Sequence, residues 1–488
     1  MNLITGIVRS MTALITGFTL LLTAAFQAGT NLGFDKKESV DLTTNFLSGM
    51  DTFISEPVSD KWSVGFAKNE LTPDDYDKEY YYLGGYLKFP AQSATGVIDE
   101  LWTKAAVLDD NSGRGAVAFA YIDAVGLMNN DIKLIREKLS DLLGPDGIVS
   151  VNVGVTHTHT AVDTQGIWGT LPQTGKNEKY MNALVEKTAD AIRTAYETRS
   201  KGTLYYGSDD YGHLFSDGRG PRSYDRNIHL FRFVPDDTAK REIFITNFGA
   251  HPVYIEWANT KISADYPFYL SKAVEEKYGA DFMFIQGAIG GAIHGNLSAS
   301  NGVTGTTDVE KITQYGAKIA DVFAKLMEKA EPVAPILNVA HRQFEVPVDN
   351  FIFRLVERAG ITSAKGYSDD GIIKMTSEIG YCQIGDNIKI LMMPGEIFPE
   401  VVYGGFLSAD KAYNGTEYPY AALKTQFSED DSILTFGLCN DAVGYIVPDN
   451  DYCASLTDDA HSQEMVSVGP TAASSISKAF EELLANYK

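Results

Sequence analysis

The chain is short of cysteine and of positive charge. It has three cysteines in 488 residues, an odd number that excludes a disulfide framework. Cys439 and Cys453 could pair in an oxidising compartment, or all three thiols could stay free. The 41 Lys and Arg residues face 64 Asp and Glu residues, for a net charge of −23. Because nucleic acids and anionic membrane surfaces are bound by clustered Lys and Arg, we expect neither as a partner.

Two familiar catalytic patterns are missing as well. No G-x-S-x-G occurs, so the sequence does not support a serine hydrolase elbow. The glycine-rich segment Gly287–Gly295 lacks the lysine of a P-loop and the ordered glycines of a dinucleotide fingerprint. Close approach of this backbone to a site is therefore a better interpretation than phosphate binding.

The N-terminus has the pattern of an export signal. Arg9 precedes an apolar stretch, residues 11–25, and small residues follow it, with cleavage points at Ala24, Ala25 and Ala28. The stretch is short for a transmembrane helix, and an uncleaved anchor is the alternative. We expect residues 1–28 to be a signal peptide or N-terminal anchor, 29–60 a polar linker and 61–488 one folded domain. The protein is then secreted or held at the cell surface.

Strand-like and helix-like segments alternate along the rest of the chain. Apolar runs predict strands, and apolar residues at helical spacing predict amphipathic helices between them. This mixture predicts an α/β fold of packed sheets flanked by helices. Residues 165–225, rich in Gly, Asp and Tyr, are expected to hold loops over a site. The predicted strands are 115–122, 148–155, 241–248, 282–285, 389–393 and 432–436, and the predicted helices lie near 131–142, 181–196, 269–278, 309–326 and 471–486.

Two of the eight histidines stand one residue apart, directly after a predicted strand. The run 148–155 places valine at alternate positions, from Val149 to Val155, and His157 and His159 continue the same parity. Because side chains of a strand alternate between faces, we expect these valines on one face and both imidazoles beside each other. Paired imidazoles are suited to binding a metal or a reacting carbonyl.

Three further candidates also follow predicted strands: His251, Glu396 and Tyr445. Loops that follow strands gather functional groups on a rigid scaffold. Two or three imidazoles with one carboxylate match the ligand set of a hydrolytic zinc site with an open position. Each residue also has a structural interpretation, since His251 could cap a strand, Glu396 could stabilise a helix N-terminus and Tyr445 could be a packed aromatic.

An ordered series of motifs resembles the neutral/alkaline (non-lysosomal) ceramidase family. The similarity spans about residues 62–470, and the order of the motifs is more specific than any one of them. The segments that are similar to family motifs are W-S-V-G-F-A-K-N-E-L-T-P (62–73), L-G-G-Y (83–86), T-H-T-H-T (156–160), A-H-P-V (250–253), I-S-A-D-Y-P (262–267), F-I-Q-G-A-I-G (284–290) and P-G-E (394–396).

The resemblance implies a zinc-dependent amidohydrolase whose catalytic domain has two central packed mixed β-sheets flanked by helices. Its zinc ligands would be His157, His251, Glu396 and Tyr445. The corresponding family segment has two tyrosines, and this chain has Ala442 at the first position and Tyr445 at the second. His159 would line the active site, with Glu396 a candidate general base. Arg219, in G-R-G-P, resembles the family's active-site arginine.

The main departure from the family lies in the glycine-rich loop. The family's G-D-V-S-P-N becomes G-G-A-I-H-G here, with Gly291 and Ile293 at the aspartate and serine positions. We expect Zn²⁺-dependent hydrolysis of an amide bond, in N-acylsphingosine or another N-acyl substrate, since a metal-water route does not need that serine. The alternatives are an ester hydrolase or small-substrate amidase on the same fold, and an inactive cell-surface binding protein. The expected partner is a small-molecule or lipid amide, with membrane association only through the N-terminal segment or the substrate.

Overall fold

The computed structural model of the chain describes residues 34–37, 49–219, 223–453 and 459–487. Most strands belong to two β-sheets, and the helices lie outside them. The strands are β1 (Trp62–Glu70), β2 (Gly96–Val97), β3 (Trp102–Asp109), β4 (Ala116–Ile122), β5 (Ile148–Val155), β6 (Ser200–Asp210), β7 (Phe215–Asp217), β8 (Asn227–Pro235), β9 (Ile243–Phe248), β10 (Lys261–Ile262), β11 (Asp281–Gln286), β12 (Ile293–Gly295), β13 (Glu331–Pro332), β14 (Leu337–Pro347), β15 (Gly366–Asp369), β16 (Ile372–Ile384), β17 (Ile388–Met392), β18 (Glu396–Ile397), β19 (Ser432–Phe436) and β20 (Tyr445–Ile446).

The helices have recognisable start and stop signals. For example, the Thr307 side chain accepts a hydrogen bond from the Glu310 backbone N–H, and the Glu310 carboxylate accepts one from the Thr307 backbone N–H, forming a capping box. The α-helices are α1 (Asn129–Lys138), α2 (Glu178–Glu197), α3 (Tyr266–Tyr278), α4 (Asp308–Lys329), α5 (Phe351–Arg358), α6 (Pro399–Tyr403) and α7 (Ala472–Ala485). Short 3-10 segments occupy Gly212–Leu214, Ala299–Asn301, Leu423–Gln426, Asp449–Asp451 and Asp459–Val466.

The first sheet has the strand order β11-β9-β8-β6-β1-β3-β4-β5, and β13 pairs with β6. Its two outermost pairs, β11 with β9 and β4 with β5, are parallel, and the central pairs are antiparallel. Every residue of β4 is buried, as expected for a strand that is covered on both faces. The second sheet has the order β14-β16-β17-β19, with β15 beside β16.

The two sheets pack face to face through one apolar layer. Phe119 of β4 and Phe436 of β19 meet across it, with ring centroids 5.3 Å apart. Along β11 the side chains alternate, so that Met283 faces the other sheet and Phe282 faces the helices. Burying a side chain of this size stabilises the fold by about 1.5–3 kcal/mol, so this layer is a principal source of cohesion between the sheets.

Helices cover the outer faces of both sheets. On the first sheet, α1 and α2 pack over the β3–β5 end, and α3 and α4 pack over the β8–β11 end. On the second sheet, α7 packs against β14 and β16. The layers therefore run helix, sheet, sheet, helix, and the predicted α/β fold with two packed mixed sheets flanked by helices is confirmed. None of the described helices has the length and apolar character needed to span a bilayer.

Residues that precede the predicted domain also pack against the second sheet. Met50 is buried, and its backbone N–H donates to the Val339 carbonyl at 2.9 Å. The Ile54 N–H donates to Asn338 Oδ1, also at 2.9 Å, so residues 50–54 lie against β14. The predicted signal or anchor, residues 1–28, lies outside the described residues, and the domain boundary at residue 61 stays a prediction.

Residues 165–225 contain loops together with α2, whose predicted range was 181–196, and β6, which was not predicted. One expectation about local structure is corrected. Val149 does not share a face with the later valines, because β5 has a bulge at this position: Ile148 pairs with Ala116 and Ser150 with Val117. The extra residue turns Val149 toward the second sheet, whereas Val151 packs under the helices. All three cysteines are buried and unpaired.

Candidate metal centre and its cavity

The two neighbouring histidines are placed by a turn. β5 ends at Val155, and His157 has a φ of +68°, in the left-handed region that non-glycine residues rarely adopt. Strand alternation therefore does not extend to the histidines, and the prediction that it orients them is wrong. Their rings nevertheless lie together, with the Nε2 atoms of His157 and His159 3.1 Å apart.

His251 is held by the glycine-rich segment on the neighbouring side. Its backbone N–H and its ring Nδ1–H both donate to the Ile293 carbonyl, at 2.9 and 2.7 Å. Gly249 allows the two loops to approach, since a Cβ there would stand 2.5 Å from the Ala288 carbonyl oxygen. The glycine-rich segment thus serves as a closely packed backbone support for His251.

Glu396 and Tyr445 meet because their short strands pair. β18 and β20 are parallel, and Glu396 is the register partner of Tyr445. Gly395 permits this contact, because a Cβ there would stand 2.4 Å from the Gly444 carbonyl oxygen. Two residues far apart in sequence are therefore brought to the same place by one small parallel ladder.

His157, His251 and Glu396 form one buried cluster. Glu396 Oε2 is 2.9 Å from His251 Nε2 and 3.3 Å from His157 Nε2. The ring centroids of His157 and His251 are 5.0 Å apart. Ligand atoms of the three residues all lie within 4.8 Å of one another. The Tyr445 hydroxyl is 3.4 Å from His251 Nε2, at the edge of the same cluster.

The outer hydrogen bonds of the cluster orient its inner atoms. His157 Nδ1–H donates to the Val125 carbonyl at 2.6 Å, as His251 Nδ1–H does to Ile293. In neutral imidazoles these bonds leave a lone pair on each Nε2, facing the Glu396 carboxylate. Only a cation, either a proton or a metal ion, can favourably lie among three such atoms. The residues therefore fit a divalent metal ion of the kind that imidazole and carboxylate bind.

Electrostatics favour ligand-competent forms of these groups. Burial, together with the charge of His157, lowers the pKa of His251. Burial by itself would raise the pKa of Glu396, but the charge of His157 and hydrogen bonds from both imidazoles outweigh it, so this pKa lies well below its ordinary value. Burial and the charges of His157 and His251 hold the pKa of His159 well below its ordinary value. These shifts favour the neutral forms of His251 and His159 and the ionised form of Glu396.

A cavity of about 490 Å³ opens onto the cluster. His157, His159, Glu396 and Tyr445 are part of its wall. Most of the remaining wall is apolar, which is typical of sites for ligands with substantial hydrocarbon content. The apolar and aromatic wall residues include Tyr86, Leu87, Val125, Met128, Ile167, Trp168, Leu171, Trp257, Val348, Ile352, Phe353, Val356, Met375, Leu438, Val443, Met465, Val466 and Val468.

Arg219 is held by contacts away from the described cavity wall. The described wall residues do not include it, and its guanidinium stacks over Phe398 at 5.0 Å. Its Nη2 donates to Glu464 at 2.8 Å and to Asp451 at 3.1 Å. The structure thus shows Arg219 paired with two carboxylates, and its predicted catalytic role stays a prediction.

Sequence reasoning missed two parts of the wall. Gly85, with a φ of +101°, lies so close to His159 that a Cβ would stand 2.5 Å from that residue's Cα, and Tyr86 packs edge-on against the His159 ring. The L-G-G-Y motif was the sequence signal from which this contact could have been predicted. Helix α5 was also missed, because its eight residues are too few for a clear apolar period.

Comparison with known proteins supports the fold. No known family model matches the chain. The neutral ceramidase from Pseudomonas aeruginosa superposes with a TM-score of 0.65 at 16% sequence identity, over 88% of this chain and 75% of that one. A ceramidase complexed with C2 gives the same TM-score at 15% identity, over 87% of this chain and 75% of that one. The fold is therefore ceramidase-like.

Proposed function

We propose that this protein is a zinc-dependent hydrolase of an amide bond in an N-acyl substrate. The observation that carries the proposal is the meeting of His157, His251 and Glu396 at the wall of a largely apolar cavity. The ceramidases that share the fold supply a precedent for the reaction, and their resemblance in motif order supplies a second line of support.

The proposed ligands are the two imidazole Nε2 atoms, the Glu396 carboxylate and the Tyr445 hydroxyl. With Zn²⁺ bound, these ligands would provide a Lewis-acid site able to polarise a carbonyl and lower the pKa of water. The Val125 and Ile293 carbonyls keep the imidazoles in the required tautomer. Burial of the cluster excludes bulk water and strengthens every charge interaction within it.

Proton movement is assigned to His159 and Glu396. His159 Nδ1 has no hydrogen-bond partner among the described residues, and its lowered pKa leaves the ring neutral. A neutral imidazole in this position can take up a proton and deliver it to the leaving amine. Glu396 is the candidate general base, since its carboxylate borders the cavity.

The apolar wall supports a fatty or otherwise hydrophobic acyl or amine group. A ceramide-type lipid amide is the substrate that we propose, and an ester or a small amide is the alternative. The altered glycine-rich segment motivates a third possibility, a binding protein without activity. Against it, Ile293 still supports His251 through its backbone, which needs no particular side chain. We also propose that the protein is exported, from the N-terminal sequence pattern.

Metal analysis tests the proposed ligands. We expect about one zinc per purified chain, and loss of zinc in His157→Ala and His251→Ala, because each removes one of few ligands. His213→Ala is the matched control, since His213 is exposed and outside the cluster. Elemental analysis measures the result. Full zinc content in His157→Ala would refute the ligand assignment.

A substrate panel then tests the reaction. Long-chain and short-chain amides and esters, assayed with zinc-loaded protein, should show preferential cleavage of long-chain amides. Preferential ester cleavage would replace the proposal with the ester hydrolase alternative. Zinc binding without turnover of any substrate would favour the inactive binding protein.

A further inference from the structure

The cavity has one acidic residue in its wall besides Glu396. This is Glu357, near the C-terminal end of α5. The same helix also contributes Ile352, Phe353 and Val356 to the wall. Glu357 belongs to a different element from the metal cluster, so it adds a second acidic group to a mostly apolar wall.

Glu357 is only partly satisfied by protein groups. The backbone N–H of Gly366 donates to its Oε1, and no described residue donates to Oε2. The neighbouring Arg358 is exposed and is not part of the described cavity wall. This half-buried carboxylate therefore has an oxygen that can accept a hydrogen bond from a ligand.

Away from the metal cluster, the described part of the wall carries no basic side chain. Among the described residues that line the cavity, none is Lys or Arg. Burial raises the pKa of Glu357 to about 7. A positive group beside Glu357 would favour its ionised form, whereas a negative group there would meet a carboxyl group with no Lys or Arg among the described wall residues to offset it.

We propose that the cavity selects amides that bear an ammonium group at the end of their apolar chain, and that Glu357 binds this group. The inference rests on the proposed amide hydrolysis and narrows its substrate class to N-acyl compounds with a cationic chain end. Glu357 is then a specificity-determining residue: Oε2 accepts a charge-assisted hydrogen bond from the ammonium, and Gly366 keeps the carboxyl group in place.

Matched substrates test this selection. They are fatty amides of graded chain length that end in a methyl, an ammonium or a carboxylate group, with the end group on the acyl chain in one series and on the amine chain in another. We expect kcat/KM for the ammonium compound to exceed that for the methyl compound by about tenfold or more in one series. The carboxylate compound should be the poorest.

Glu357→Gln should bring the ammonium-to-methyl ratio close to one. Glutamine keeps an oxygen that can accept from the Gly366 N–H, so the helix end should fold. Glu429→Gln is the control, because it removes an exposed charge outside the described cavity wall and should leave the ratio unaltered. A wild-type ratio near one, or a ratio that Glu357→Gln does not alter, would overturn the inference.

A binding measurement separates this inference from the proposed reaction. Isothermal titration of the full chain with octylammonium and with octanol should show tighter binding of the ammonium by the wild type. Glu357→Gln should weaken octylammonium binding about tenfold relative to octanol. If no amide is cleaved but octylammonium binding depends on Glu357, the proposed amide hydrolysis is wrong and the proposed recognition of an ammonium group holds. Equal binding of the two probes by the wild type would contradict the recognition itself.

Discussion

At the scale of single residues, the site depends on a backbone conformation that few side chains tolerate. The positive φ of His157 is costly for a non-glycine residue, by about 1–3 kcal/mol. Such strain persists where surrounding contacts determine the position, and here the Val125 carbonyl holds the ring through Nδ1. The result is an Nε2 atom that points at Glu396 and His251 rather than away from them.

The neighbouring His159 provides a test of the proton-transfer role. His159→Gln should leave zinc content intact and lower kcat for amide hydrolysis by about 10²–10⁴, the usual contribution of a positioned acid or base. Steady-state kinetics with parallel metal analysis measures this. The pH profile of kcat should also lose the limb that reflects titration of the His159 imidazole.

The same substitution at the exposed His213 is the control and should change neither property. Loss of zinc in His159→Gln would mean that His159 is a ligand. An unchanged kcat in His159→Gln would show that His159 takes no part in the reaction.

At the scale of elements, another buried histidine, His229, links two strands of the first sheet. In its protonated form His229 on β8 donates from Nδ1 to the Tyr206 hydroxyl of β6 at 2.7 Å, and from Nε2 to Asp225 at 3.0 Å. Burial lowers the pKa of His229, but the contacts with Tyr206 and Asp225 outweigh it and raise this pKa to about 9. The folded state therefore holds a proton that the unfolded chain releases near pH 6.5.

This difference in proton binding makes the free energy of unfolding depend on pH, with a sign that follows from the raised pKa of His229. The stabilisation is complete below about pH 6.5 and is lost as the pH rises toward about 9, because in that interval the folded state binds more protons than the unfolded state. We expect the unfolding free energy to fall by about 3 kcal/mol across this window through His229. Urea unfolding at a series of pH values measures it.

The slope should shrink in His229→Gln and in Asp225→Asn, and it should persist in His213→Gln. An unchanged slope in His229→Gln would show that other groups cause the dependence.

At the scale of the whole molecule, cohesion comes from the layer between the two sheets. Phe436 is 2% exposed and contacts Phe119 and Tyr121 of the opposite sheet, at ring centroid distances of 5.3 and 6.4 Å. Because both sheets bury a face here, a cavity in this layer weakens their contact as well as the residue's own packing.

Phe436→Ala should lower the unfolding free energy by about 3–5 kcal/mol, which is the usual cost for a buried phenylalanine. Phe89→Ala is the matched control, since Phe89 is 60% exposed, and its effect should stay within about 0.5 kcal/mol. Denaturant unfolding measures both. Equal effects of the two substitutions would contradict the proposed importance of the layer between the sheets.

Much of the architecture was predictable because it depends on local patterns. β5 and β19 have the bounds that apolar runs predicted, and α2 and α7 lie within two or three residues of their predicted ranges. The long pair β14 and β16 was missed, since charged and polar residues such as His341 and Glu378 interrupt both strands. Those residues are tolerated in the interior because the Arg136 guanidinium pairs with Glu378 at 2.8 Å, a contact that no local pattern reveals.

The sequence by itself determined which donor atoms exist and that His157, His251 and Glu396 closely follow apolar strands, because strand ends follow from local hydrophobicity and turn residues. The tertiary structure alone decided which donors meet. The pairing of Glu396 with Tyr445, the placing of Arg219 behind Phe398 and the presence of Glu357 in the cavity wall all depend on elements distant in sequence. Such contacts arise from the packing of whole layers, whose energy is shared among many side chains and is not encoded at any one position.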